Sequence, residues 1–130
     1  MSWQSYRARW AGTDYEAAPE VDGGRLRVRL RGEAPAEGFE EVAPGRYVRV
    51  VPAAECAGLW HVTTVCEWRG APFLVLDERE SELLLEYTGG RASAAVALGL
   101  ERAERGVYRR WIPREEVSEV HEELVSIERS

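Results

Sequence analysis

The sequence predicts an α+β fold made mainly of an antiparallel, twisted β-sheet of about six to eight strands, with one short Ala-rich helix. Three observations carry that expectation. Arg25-Leu26-Arg27-Val28-Arg29-Leu30-Arg31 alternates charge and aliphatic without a break, which in a strand sends Leu26, Val28 and Leu30 to one face and four guanidiniums to the other. Residues 60–88 fall into three strand-like runs separated by short turn sequences. Arg91–Leu98 is rich in Ala, the strongest helix former, and Gly99 follows as a left-handed stop.

From the N-terminus, Ser2–Trp10 and Tyr15–Val21 read as strands around the turn Gly12-Thr13-Asp14, and Gly23-Gly24 predicts a tight hairpin into the Arg strand. Gly32–Gly38, rich in Gly, Pro, Ala and Glu, reads as a surface loop. Arg46–Val51 is a short strand closed by Pro52. In the run from Trp60 to Trp68, the residues Trp60, Val62, Thr64, Cys66 and Trp68 share a face that is expected to be buried. Arg69-Gly70 turns the chain into Pro72–Leu76, and Asp77–Ser81 turns it again into Glu82–Thr88. Gly106–Ile112 returns to strand character. Pro113 with Glu115 and Glu116 suits a first helical turn, after which the pattern fits either a helical face through Val117, Val120, His121 and Leu124 or a final strand.

The 130 residues, 45% hydrophobic with five Trp and five Tyr, suffice for one core and lie outside the regime of disorder. One domain over 1–130 is expected, with no internal repeat. The first residues hold no apolar leader, and no window approaches the roughly 18 apolar residues of a membrane span. Cys56 and Cys66 do not make a disulfide framework or a zinc knuckle, so a reducing cytoplasm is expected. All 17 basic residues are Arg, with neither Lys nor Asn, as a GC-rich bacterial genome would write. Residues 33–90 hold eleven acids against four Arg within a net charge of −6. Such an excess argues against general nucleic-acid binding, which needs cations to displace counterions, and suits a basic protein partner.

No motif points to catalysis, a cofactor or a metal. Only His61 and His121 supply imidazoles, no Gly-x-Ser-x-Gly elbow exists, and His61 falls on the strand face opposite Cys66. Asp77, Glu78, Glu80 and Glu82 form an acidic turn without the Asp-x-Asp-x-Asp-Gly order of a Ca²⁺ loop. It reads either as a solvated turn or as a protruding surface that complements a cationic cleft. The Arg25, Arg27, Arg29 and Arg31 stripe reads either as cross-strand partners of neighbouring carboxylates or as an anion grip. Tyr87-Thr88-Gly89-Gly90-Arg91 reads as a strand-to-helix turn or as backbone donors for an anion. Most of Trp3, Trp10, Trp60, Trp68 and Trp111 should be core, and any exposed Trp is a candidate interface anchor.

The small acidic α+β character, the scattered Trp, the Trp68-Arg69-Gly70 turn, Tyr87-Thr88-Gly89-Gly90 before an Ala-rich helix, and Gly106-Val107-Tyr108-Arg109-Arg110-Trp111-Ile112-Pro113 together resemble immunity proteins of bacterial polymorphic toxin systems. That resemblance implies a non-catalytic inhibitor that neutralises one cognate toxin, with Asp77, Glu78, Glu80 and Glu82 at the interface with a cationic toxin domain and no role for nucleic acid or membrane. The alternative is a small-molecule- or nucleotide-binding enzyme with a pocket in a curled sheet, where Arg25, Arg27, Arg29 and Arg31 hold an anion. A third reading is a subunit of a larger assembly.

Overall fold

The structure, a computed structural model, describes residues 3–128. Its strands are β1 (Gln4–Trp10), β2 (Thr13–Asp22), β3 (Arg25–Gly32), β4 (Glu40–Ala43), β5 (Arg46–Pro52), β6 (Gly58–Trp68), β7 (Ala71–Arg79), β8 (Glu82–Tyr87), β9 (Glu101–Glu104), β10 (Val107–Pro113) and β11 (Ser118–Ser126). One helix, α1 (Ala92–Ala97), lies between β8 and β9, and 3-10 turns at Ala53–Glu55 and Arg114–Glu116 follow β5 and β10. The expected antiparallel character and the single Ala-rich helix are present, but there are eleven strands where six to eight were expected. The excess comes from four-residue strands, β4 and β9, and from β11, segments too short or too evenly polar to show an alternating pattern.

Two compact units divide the chain. One holds Ser5–Val62 and the chain from Leu124, and the other holds Thr63–Glu123 and the chain up to Gln4. In the first, the strand order is β4-β5-β3-β2-β1-β6, and in the second β6-β7-β8-β10-β9, so the eleven-residue β6 contributes to both; β11 pairs with β6. Each unit has its own core. Ala8, Ala17, Val28, Leu30, Val51, Ala53, Cys56 and Leu59 fill the first. Trp68, Phe73, Val75, Leu83, Leu85, Ile112 and others fill the second, with Ala95 and Leu100 contributed by α1 and its exit.

A similar succession of elements occurs twice, with β6 closing the first and opening the second: a three-strand meander, a connection that holds α1 in the second only, a four-residue strand, a seven-residue strand, a 3-10 turn and a further strand. Register follows the pattern. Ala17 pairs with Leu30 and Leu30 with Arg49 in the first unit, as Val75 pairs with Leu85 and Leu85 with Arg110 in the second. Gly45, Tyr47, Arg49, Pro52 and Glu55 recur 61 residues on as Gly106, Tyr108, Arg110, Pro113 and Glu116. Trp10 and Trp68 recur at a spacing of 58, and buried Leu30 and Leu85 at 55. The expectation of no repeat is corrected here: because the spacing drifts with loop length, a search at one fixed period does not find it.

Local chemistry explains the turns. Gly23 and Gly24, both at positive φ, close the β2–β3 hairpin between paired Asp22 and Arg25, the backbone a two-residue turn of this hand requires. At the end of α1, Gly99 N–H bonds to the Val96 carbonyl and Leu100 N–H to that of Ala95. With Gly99 at φ +74° this is a Schellman stop, which tucks Leu100 beside Ala95 in the core. The expected acidic turn over residues 77–81 contracts to Glu80-Ser81, since β7 runs on to Arg79, opposite Glu82, after a bulge between Val75 and Asp77. The C-terminal alternatives resolve to one 3-10 turn and then a strand. Ser2, the expected start of the first strand, lies outside the described residues.

In β6, Val62, Thr64, Cys66 and Trp68 are buried as their alternation predicts, but Trp60 is half-buried while its neighbour Leu59 is fully buried. The inward phase therefore changes between Leu59 and Val62. A strand that serves two cores need not keep one alternation along its length.

Candidate functional site

The acidic hairpin is an ordered, partly compensated surface. Glu82 accepts from Arg79 Nε at 3.1 Å, Glu78 lies 3.7 Å from Arg114 Nη1, and Asp77 Oδ1 accepts from the Glu78 backbone N–H at 2.8 Å. Arg79 itself lies 4.1 Å above the Trp111 ring. Glu80 stands at the tip in the left-handed region, φ +46°, with no side-chain partner among the described residues. The four carboxylates predicted as the partner surface thus sit together on one hairpin, but two of them face an arginine.

The charge imbalance extends beyond the hairpin. Thr63–Glu123 carries thirteen carboxylates and eight arginines, while the remaining ten carboxylates and nine arginines nearly cancel. Within residues 115–128 there are six Glu and no Arg, an excess equal to the whole chain's net charge of −6. Averaging over residues 91–130 hides this run behind the arginines that precede it. The structure makes it the second 3-10 turn and β11, whose nine residues are all exposed. Its carboxylates have few partners: Glu116 accepts from the Trp68 indole N–H at 3.3 Å, and Glu123 lies 3.5 Å from His121 Nε2.

The arginine stripe divides. Arg27 lies 3.4 Å from Asp22 and Arg29 3.5 Å from Glu20, both carboxylates coming from β2. Arg25 and Arg31 have no ion pair among the described residues, although Arg31 is opposite Glu16 in the ladder. These partners belong to β2 and not to the acidic central strands, because β3 lies between β2 and β5. Arg29 and Arg31 line a concavity of about 620 Å³ with Arg46, Tyr47, Val42, Glu16 and Glu33. Tyr47 donates its hydroxyl to Glu41 at 2.6 Å, which holds the phenol above its ordinary pKa.

The arginine stripe of β3 matches the outward positions of β8, of which Glu82 alone belongs to the predicted acidic set. Val28 and Leu30 point inward on β3 as Leu83 and Leu85 do on β8, so Arg27, Arg29 and Arg31 take the outward places that Glu82, Leu84 and Glu86 take on β8. At these matched places β3 carries three arginines and β8 carries two glutamates and a leucine.

Other sequence candidates are drawn into structural roles. His61 stacks on Tyr6 with ring centroids 4.8 Å apart. Cys66 is buried, and burial, helped by Glu67, pushes its thiol up to about 11, so it is protonated and a poor nucleophile at neutral pH. The Gly89-Gly90 segment leads into a six-residue helix, and Gly89 is pressed against the Tyr87 ring, which leaves no room for a Cβ. Each of the five Trp has an Arg near its ring, the closest pairs being Arg79–Trp111, Arg69–Trp68 at 4.4 Å and Arg49–Trp10 at 4.5 Å. Trp3 and Trp68 are buried, and Trp10, Trp60 and Trp111 are half-buried.

Among the described residues no group of three or more His, Cys, Asp or Glu is placed to hold a metal ion. Nor is any helix long and apolar enough to cross a membrane. No curated protein and no solved structure matches the chain. The sequence profile of a family described as uncharacterised conserved protein UCP033725 matches residues 4–128, both units of the fold, and the chain belongs to that family.

Proposed function

We propose that this protein is a non-catalytic inhibitor of the immunity type, a cytoplasmic protein that captures a basic protein partner, a cationic toxin domain, on the acidic surface of Thr63–Glu123. The observation that carries this reading is the segregation of charge. The net charge of the chain collects on exposed carboxylates of one unit, around the Asp77–Glu82 hairpin and along β11. Such a field steers a cationic partner into encounter and fixes its orientation, at a rate that falls with ionic strength. Two of the side chains weighed for catalysis fit the same reading, since Cys66 is buried and protonated and His61 is held in an aromatic stack.

The test is affinity capture from the lysate of the protein's own cells across a salt series, followed by titration of the captured partner. One stoichiometric basic partner with a toxin-like domain, released as salt rises, is the expected result. The combined variant D77N/E78Q/E80Q/E82Q should weaken that partner and flatten its salt dependence. Retention of a small molecule in place of a protein would overturn the proposal.

A second reading rests on the concavity beside β3 and β5, where Arg31 and Arg46 have no carboxylate partner among the described residues. It is the anion-binding alternative, and titration with inorganic phosphate and nucleotides, comparing the native chain with R31Q/R46Q, decides it.

A further inference from the structure

We infer that the outer edge of β11 is the docking strand for that partner, which adds a basic, extended segment to it as a further strand. This rests on the acidic-capture reading above and names the place and mode of capture.

The argument starts from the edges of the strand order. β4 and β9 end the two series, and both are protected in the ways sheet edges usually are: each is four residues long and each has a break in register against its neighbour. β11 is different. It is nine residues long, contains no Pro and, with Glu119 near its start at φ +55°, pairs among the described residues with β6 alone, so one side of its backbone has no ladder partner there. All nine residues are exposed, and Val120, Leu124 and Val125 are 42%, 48% and 56% exposed. Ile127 N–H bonds to the Leu59 carbonyl of β6 at 2.8 Å. Backbone groups alternate sides along a strand; counted back from Ile127, His121 and Glu123 fall on the side of β6, and Val120 and Glu122 on the outer side.

Charge selects the occupant. Glu119, Glu122 and Glu123 lie on this strand, and Glu115 and Glu116 precede it, with no Arg among residues 115–128. Two copies of β11 placed edge to edge would set carboxylate against carboxylate, which disfavours self-pairing. A segment alternating Arg or Lys with small aliphatic residues meets both demands, main-chain donors and acceptors for the open edge and cations for the glutamates.

A synthetic peptide of alternating Arg and Val, eight residues long, is the probe, titrated into the full-length protein at low salt. Saturable binding is expected, and Glu122→Gln should weaken it about two- to threefold by removing one exposed charge. Glu122→Pro removes the same charge and the outward N–H as well, and should cost about fivefold more, the worth of one hydrogen bond. Unchanged circular dichroism and melting of both variants verify the fold. A peptide N-methylated on alternate amides should bind in only one of its two registers.

Equal affinities of E122P and E122Q, or indifference to N-methylation, would overturn the docking edge. Binding that instead falls in D77N/E78Q/E80Q/E82Q would leave acidic capture standing and move it to the hairpin. Absence of saturable peptide binding in the native chain would overturn the docking edge, whereas retention of a basic protein partner in the salt-series capture would show the broader reading still intact.

Discussion

The guanidinium of Arg79 lies 4.1 Å above the ring of Trp111 while its Nε donates to Glu82 at 3.1 Å. One side chain therefore fastens the tip of the β7–β8 hairpin to β10 and faces one of its carboxylates. The side chain of Arg79 is about half exposed, so the ion pair contributes little, about 0.2–1 kcal/mol. The ring contact is expected to contribute about 0.5–1 kcal/mol. A double-mutant cycle of Arg79→Ala and Trp111→Ala, read by denaturant unfolding, should give a coupling of that size, and a coupling near zero would show the stacking to be incidental.

The cores call for a larger effect. Leu85 is fully buried between Leu83 and the β7 and β10 strands. Leu85→Ala should destabilise the protein by about 2–5 kcal/mol, and Leu30→Ala, its counterpart in the first unit, by a similar amount. Chemical denaturation monitored by Trp fluorescence reads both. A loss below about 1 kcal/mol at either site would contradict the packing described.

How far the sequence could be read follows from these same residues. The Arg25–Arg31 alternation identifies β3 and its inward face because every second residue is aliphatic. Ala92–Ala97 and Gly99 identify the helix and its stop through local propensity alone. What stayed hidden depends on contacts distant in sequence. The phase change in β6 reflects service to two cores, and β11 has no alternation because both its faces are solvated. The acidic hairpin was legible as composition, but its compensation by Arg114 was not, since Arg114 follows β10 and meets Glu78 only through the fold. The carboxylates of β11 were legible only at a window narrow enough to exclude the arginines before them.

The paired turns give a backbone prediction. Ala11 and Arg69, at φ +50° and +52°, each precede a glycine, Gly12 and Gly70, at φ +80° and +75°. This is the hairpin geometry that favours Asn-Gly, and a non-glycine residue at such a φ is strained by about 1–2 kcal/mol. Ala11→Asn should therefore raise stability by about 0.5–1 kcal/mol. Gly70→Ala should lower it by about 1–2 kcal/mol through backbone strain alone, since open space surrounds the added Cβ. Melting temperatures of the two variants check both signs.

Across the first hairpin, Arg9 donates from Nε and Nη2 to the two oxygens of Asp14 at 2.8 and 3.2 Å. That hydrogen bonding, with the Arg9 charge adding to it, holds the Asp14 carboxyl below its ordinary value. A carboxyl depressed in the folded state contributes stability above its unfolded pKa of about 3.9, and loses it as pH falls through the folded value. The difference in melting temperature between the native chain and Asp14→Asn should be constant near neutrality and shrink in the acid range. A difference that grows on acidification would refute the assignment.

Cys66 supplies the last prediction. Its side chain lies in the second core beside Trp68 and Phe73, its strand partner. Desolvation by that burial, with Glu67 next to it, pushes the thiol up to about 11. At pH 7.5 the thiolate fraction is then on the order of one in three thousand, against roughly one in ten for an exposed cysteine. Iodoacetamide at that pH should leave Cys66 unmodified in the folded protein over hours and alkylate it readily in denaturant, as read by peptide mass mapping. Raising the pH while the fold persists should add little, because access to the sulfur is closed as well as its ionisation suppressed. Rapid native-state labelling at Cys66 would mean that β6 opens toward solvent far more often than a strand packed in this core should.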